Sequence, residues 1–321
     1  MAKCKIKKWA LNIDKLRVCF NLPDDVYTNL SETYTKQVTE IIKGKEVTIR
    51  ILSEDYFSLV FYDEDETTML ASLNISDGDG SQFKLGTFQF NIGKKYKNKA
   101  FFTFENDALY RIFTKGFDGE PINYISCVLY VAEYYGMEFN NLTEVELAFD
   151  SDFNFVQKIK KMIRDVDKYD LYLNGKKVTD DEILKGYGEY YSRNRLKLQL
   201  PTLYFSQAKG SDMQMRVYDK GRELRESTPY KKERYKEWNN WDDVDNVHRV
   251  EVVMHNSNVR DFFERNSKIL DAEVNQHDNI LNLLCMLKFR MMMFLDAIDR
   301  IIYFKDRKTD QKITLLEIDE I

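Results

Sequence analysis

Histidine is nearly missing from this chain. The three present, His248, His255 and His277, form no H-x-H pair and no H-E-x-x-H, and no Cys/His cluster accompanies them. That argues against an imidazole or thiolate zinc site. Cysteine is as sparse: Cys4, Cys19, Cys127 and Cys285 show neither metal-knuckle nor disulfide spacing. With no signal peptide at the start, this points to a reducing, cytoplasmic compartment. No Walker A loop and no G-x-G-x-x-G occur, so ATP-driven and dinucleotide chemistry lack support. The most apolar stretch, Leu283 to Leu295, is broken by Lys288 and Arg290 and is too short to span a bilayer; it reads as a buried helix. Glycine and proline are scarce while aromatics abound, as in a chain ordered throughout. Nor is positive charge in excess. The net charge of −5 provides no global basic field, so nucleic-acid binding must rest on a local patch.

What is present is chiefly strand pattern. Leu16–Phe20, Val47–Ile51, Phe57–Tyr62, Phe83–Asn91 and Ala100–Phe104 read as strands separated by Asp/Asn/Gly turns. A helix is expected over 121–135, between Pro121 and Gly136, and an amphipathic one over Phe155–Val166. A further helix is expected from about Asn258, and a long one from Asp278 to Phe304 with a broad apolar stripe. The expected class is α+β: an antiparallel, sheet-centred catalytic domain over 1–265 with flanking helices. Residues 266–321 form a helical C-terminal segment serving the core, a dimer contact or DNA recognition.

The chemistry concentrates in three distant segments, 142–152, 202–226 and 248–256, each alternating with period two. In the first, Glu144, Glu146 and Asp150 oppose Val145, Leu147 and Phe149. In the second, Arg216, Tyr218 and Lys220 oppose Met213, Met215 and Val217. In the third, Arg249 and Glu251 oppose Val250 and Val252. Were these strands neighbours, carboxylates, guanidiniums and a tyrosine would converge on one surface. Clustered carboxylates without imidazole suit a hard cation, Mg²⁺ or Mn²⁺. A cation beside Tyr218, either Arg216 or Lys220, would lower its phenol pKa and stabilise a phosphorane. Cross-strand ion pairs on a solvated face are the plainer reading of the same alternation. A basic stretch follows Tyr218, with Arg222, Arg225, Lys231 and Lys232 as candidate phosphate contacts.

Thr143–Asp150, read T-E-V-E-L-A-F-D, resembles the T-R-L-D-L-A-x-D pattern of the replication initiation factor family, the trans-acting initiators of rolling-circle plasmids. Tyr204-Phe205, Ser211-Asp212, Arg216, Tyr218, Lys220 and Glu223 resemble its Y-F-G-x-x-x-S-D-R-x-I-R-I-Y-x-K-x-x-E, and His248–Val252 its W-R-V-E-I. The likeness is strongest over 140–265. It implies a metal-dependent tyrosine endonuclease and strand transferase that nicks a plasmid double-strand origin through a phosphotyrosine link. Carried over residue by residue, Tyr218 is the nucleophile. Arg216, Lys220 and Arg249 face phosphate, while Glu146, Asp150 and Glu251 hold the metal or support its ligands. The implied partners are origin DNA in a single-stranded or hairpin region, a host helicase and a second copy of the chain. A relaxase-like nickase of a conjugative element and a catalytically inactive DNA-binding relative remain as alternatives. The chain departs from the pattern at Glu144, where the family has arginine, at Glu146 for aspartate, at Ser206 for glycine and at His248 for tryptophan.

Overall fold

The computed structural model describes residues 6–23, 36–42, 45–53, 57–65, 68–76, 82–91, 98–114, 124–179, 184–186, 189–191, 202–205, 213–270, 280, 283–284 and 286–316. The fold is α+β and built on antiparallel pairing. Two compact units divide the chain: Met1–Asn12, Glu146–Asp271 and Leu283–Ile321 form one, Ile13–Val145 and Ala272–Asn282 the other. Strands β1 (Trp9–Asn21) and β8 (Glu138–Ser151) supply residues to both.

The second of these units is a sheet of order β8-β1-β7-β6-β5-β4-β3-β2. Its strands β2 (Lys36–Ile42), β3 (Lys45–Ser53), β4 (Phe57–Asp65), β5 (Thr68–Ser76), β6 (Gln82–Asn91) and β7 (Lys99–Phe104) follow one another as a meander. Alternation builds the core: Leu16, Val18 and Phe20 on β1, Phe88 and Phe90 on β6, and Phe102 and Phe104 on β7 stand two apart and are buried. Phe88 lies 4.5 Å from Phe102 and 5.7 Å from Phe90, ring to ring, and Phe20, Phe88, Phe90 and Phe102 are fully buried. At Gly86 a Cβ would fall 2.4 Å from the Phe102 ring and 2.5 Å from the Thr103 carbonyl oxygen. Glycine therefore permits the close approach beside the register shift between β5 and β6. Helices α1 (Asn106–Thr114) and α2 (Tyr124–Tyr134) complete the unit. Glu144, the acidic departure from the family pattern, pairs with Lys15 at 2.7 Å, which offsets its charge.

The first unit holds the residues singled out for chemistry. Its main sheet has the order β12-β11-β13-β14-β15-β8, from β11 (Leu184–Gly186), β12 (Glu189–Tyr191), β13 (Thr202–Phe205), β14 (Met213–Asp219) and β15 (His248–His255). A smaller sheet, β10-β9-β16-β17, joins β9 (Tyr169–Leu173), β10 (Lys176–Lys177), β16 (Ile302–Asp306) and β17 (Lys312–Ile313). Helices α3 (Phe155–Arg164) and α7 (Leu287–Ile301) pack on β14 and β15, and α6 (Asn256–Leu270) packs on β15. Phe149 marks the apolar face, its ring 5.8 Å from Trp9, 6.1 Å from Phe155 and 5.5 Å from Phe294.

Two expectations change. Residues 202–226 are not one strand: β13 and β14 form an antiparallel pair, and at Lys220 the chain turns into helix α4 (Lys220–Glu226). The Asp219 side chain causes the turn by accepting the Arg222 backbone N–H at 2.8 Å as an N-cap. Lys220 therefore opens a helix instead of continuing the polar face of a strand. The C-terminal helix is also shorter than expected, because Ile302–Asp306 pairs with β9 as β16. Its stripe (Phe289, Met291, Met293, Phe294, Ala297, Ile298, Ile301) is buried within its own unit. Among the described residues no helix is long and apolar enough to cross a membrane.

Candidate active site

Register fixes the site. In the β14–β15 ladder Arg216 stands opposite Glu251, and Tyr218 opposite Arg249. Directly opposed residues point to the same face of a sheet, so alternation on each strand gathers all four on the face away from Met215, Val217, Val250 and Val252. Glu146 and Asp150 join them from β8, which neighbours β15. The three segments do converge.

Their bonds form a continuous chain. Asp150, fully buried, accepts Arg249 Nε at Oδ1 (2.6 Å) and Arg249 Nη2 at Oδ2 (2.7 Å), a bidentate fork. The Tyr235 hydroxyl donates to the same Oδ2 at 2.8 Å. Arg249 Nη1 then donates to Glu251 Oε1 at 3.3 Å, and the Tyr218 hydroxyl donates to that oxygen at 2.7 Å. Glu251 Oε2 lies 2.5 Å from Arg216 Nη2, an ion pair without hydrogen-bond alignment. The same nitrogen donates to Glu146 Oε1 at 2.5 Å. Arg216 thus bridges two carboxylates whose nearest oxygens fall within 4.8 Å of each other.

Burial and charge set the proton affinities. Burial, with the Glu251 and Glu223 carboxylates adding to it, pushes the Tyr218 phenol far above its ordinary value and outweighs the Arg249 guanidinium. The expected lowering by a neighbouring cation is therefore reversed. Burial also draws the Lys220 ammonium down, helped by Arg249 and opposed by Glu223, which its Nζ meets at 2.7 Å. Burial works against charge on Arg216, but Glu251 and Glu146 outweigh it and hold the guanidinium above its usual range.

A pocket of about 330 Å³ opens over the site, lined by Thr202, Tyr204, Arg216, Tyr218, Asp219, Arg222, Glu223 and Glu226. It brings two guanidiniums and the phenol to a space reachable from solvent. Asp150 and Arg249 lie beneath, at 0% and 1% exposure. Asp150 has both oxygens engaged and acts on Arg249. Of the four expected phosphate contacts, Arg222 reaches the pocket and pairs with Glu226 at 3.0 Å. The others sit on the excursion between β14 and β15, formed by α4, α5 (Pro229–Asn239) and a 3-10 turn at Val244–Asn246. There Arg225 donates to the Asp245 carbonyl at 2.9 Å, Lys232 pairs with the Asp245 carboxylate at 3.8 Å, and Lys231 is exposed. Ser206, Ser211 and Asp212 lie outside the described residues.

Tyr235 escaped the sequence reading. It is one of 20 tyrosines, and it stands in a charged segment without apolar periodicity. In the structure it packs with Leu224, Trp241, Val244 and Val247 and caps Asp150.

No family model and no curated protein matches this chain. A search of solved structures finds similarity to a rolling circle replication initiator protein from Geobacillus stearothermophilus, at 15% identity and a TM-score of 0.39, over 94% of this chain and 89% of that one.

Proposed function

We propose that this chain nicks and rejoins one strand of DNA at a plasmid double-strand origin, through a covalent link between Tyr218 and phosphate. The observation that carries this reading is the 2.7 Å bond from the Tyr218 hydroxyl to Glu251, at a pocket lined by Arg216 and Arg222. A phenol is a poor nucleophile while protonated, and this one is held protonated by burial. It needs a base already in place, and Glu251 Oε1 is that base. As the tyrosine oxygen bonds to phosphorus, its proton passes to Glu251 and the bond from phosphorus to the 3′-oxygen breaks. The 3′-oxygen leaves and is protonated to the hydroxyl that primes synthesis; rejoining is the reverse. Arg216 and Arg222 offset charge on the phosphoryl oxygens, and Arg249 beneath them orients Glu251.

Glu146 and Glu251 fit a hard divalent cation. Their oxygens already converge on one positive group, Arg216, and no nitrogen or sulfur donor stands among them. Mg²⁺ or Mn²⁺ held there would act as a Lewis acid on the phosphodiester. Asp150 serves as a support, since it lies fully buried beneath Arg249 and apart from the convergent oxygens of Glu146 and Glu251.

Incubation with a supercoiled plasmid carrying the cognate origin and Mg²⁺ is the test. Nicked circles with protein attached after denaturation are expected. Binding without nicking would identify a catalytically inactive DNA-binding relative, and nicking confined to a transfer origin a relaxase.

A further inference from the structure

Helix α5 is built unlike the other helices of its unit. Of its eleven residues one is buried, Tyr235, whose hydroxyl ends on Asp150. Both ends are fixed. Thr228 caps the start and accepts the Lys231 backbone N–H at 3.4 Å, Pro229 opens the first turn, and Asn240 closes the helix in the left-handed region at φ 48°. The helix is capped at both ends and anchored by Tyr235 along one edge.

Its other side carries Tyr230, Arg234 and Trp238, spaced i, i+4, i+8 and so aligned on one stripe. The Arg234 guanidinium centre lies 4.9 Å from the Tyr230 ring and 4.8 Å from the Trp238 ring, and its Nη1 donates to the Tyr230 hydroxyl. Tyr230 is 62% exposed, so core packing does not account for it. A cation between two rings is worth about 0.5–1 kcal/mol to an exposed helix. That small gain does not explain why the Tyr230 ring stands in water. Lys231, Lys232 and Lys236 accompany them, so the helix sets four cations, with Arg234, against the carboxylates of Glu233 and Glu237. This local excess of positive charge belongs to a chain of net charge −5.

An exposed ring and a half-buried one interleaved with a guanidinium, on a helix capped at both ends, match the two faces of unpaired DNA: bases that stack and phosphates that attract cations. Duplex offers only the phosphates, its bases being stacked on each other. We propose that the Tyr230–Arg234–Trp238 face of α5 is a stacking surface for bases of single-stranded DNA, with Lys231, which flanks that stripe, meeting the backbone. This rests on the DNA reading above and gives that substrate a class: strand already melted or looped out when it reaches the site.

The test is binding of the full chain to labelled oligothymidylate of about twenty nucleotides and to a duplex of equal length, at low and high salt. Tyr230→Ala is expected to weaken single-strand binding by about tenfold, with a smaller effect on duplex. Tyr230→Phe, which keeps the ring, should bind nearly as the native chain does, and oligothymidylate should quench Trp238 emission. Because both variants keep the same cations, log K should fall with log[salt] at the same slope in each, and the difference between Ala and Phe should persist at high salt. Equal single-strand affinity in the Ala and Phe variants overturns the proposal, as does an equal loss on duplex. Tyr230 is exposed, so circular dichroism should be unchanged in both and the melting temperature should fall by no more than the few degrees that one lost cation–π contact accounts for; a changed spectrum or a larger fall would mark the loss as structural and also overturn it. Covalent attachment through Tyr218 is scored separately in the native chain. Attachment without a Tyr230 effect removes this inference alone, while a Tyr230 effect without attachment removes the nicking reading alone.

Discussion

The Tyr218 hydroxyl and the Glu251 carboxylate meet at 2.7 Å across the β14–β15 ladder, and the same carboxylate oxygen accepts Arg249 Nη1. The phenol, its acceptor and the acceptor's orienting cation therefore stand in one line before any substrate arrives. Little reorganisation separates this state from proton transfer.

Tyr218→Phe is expected to abolish the covalent protein–DNA adduct while leaving origin binding within a few-fold. Denaturing gels of labelled origin oligonucleotide, beside a filter-binding isotherm, check both halves. A persisting adduct would move the nucleophile to Tyr204, which also lines the pocket, or to Tyr230.

Glu146→Gln and Glu251→Gln should each lower the single-turnover nicking rate about a hundredfold or more, the usual scale for removing one electrostatic stabiliser. Chelation by EDTA should stop nicking in the native protein, with recovery on adding Mg²⁺ or Mn²⁺. Undiminished nicking in EDTA would remove the metal from the reading.

Breaking the Asp150–Arg249 fork should destabilise the whole unit. Arg249→Ala leaves a carboxylate at 0% exposure without its guanidinium, a loss of about 3–5 kcal/mol for a buried pair. Urea unfolding is the readout, with Arg222→Ala as an exposed control whose change stays within about 0.5 kcal/mol.

His248 should make folding sensitive to mild acid. Burial pulls its imidazole below the ordinary value, against the Asp219 carboxylate, so the folded chain binds its proton less readily than the unfolded one. Its stabilising contribution is complete above the unfolded pKa of about 6.5 and declines as pH falls through that value towards the folded one. His248→Gln should flatten the dependence of unfolding free energy on pH between about 7 and 5.5. A slope as steep as that of the native chain would place the sensitivity in another group.

Gly221→Ala should also destabilise the excursion. A Cβ at Gly221 would fall 2.4 Å from the Asp245 carbonyl oxygen and 2.9 Å from that of Val244, while the Gly221 N–H already donates to Val247 O at 2.8 Å. Overpacking of this kind costs about 1–3 kcal/mol, readable by urea titration.

Much of the fold was legible where one face of a strand is apolar and the other polar. Leu16–Phe20, Phe83–Asn91 and Ala100–Phe104 lie inside β1, β6 and β7, and 248–256 coincides with β15 to within a residue. The site was legible for the same reason, since period two alone places Arg216 with Tyr218 and Glu146 with Asp150. What failed was local. Alternation ran on through Lys220 because Asp219 reads equally well as a strand residue and as a helix cap. Ile302 and Phe304 continued an apolar stripe that suits a helix or a buried strand, and pairing with β9 decided between them. Tyr235 gave no signal, since its partner Asp150 is 85 positions away.

On the proposed reading, the ladder between β14 and β15 pins Tyr218 and Glu251 from both sides of a long excursion, so chemistry and recognition would be encoded in separable stretches of the gene. A foreign excursion spliced between Asp219 and His248 would inherit the nucleophile and its acceptor unchanged. It would have to bring back two things, a guanidinium at the pocket where Arg222 now stands and a hydroxyl that reaches Asp150 where Tyr235 now stands. Swapping that cassette is therefore a route to retarget such a chain without rebuilding its reaction centre.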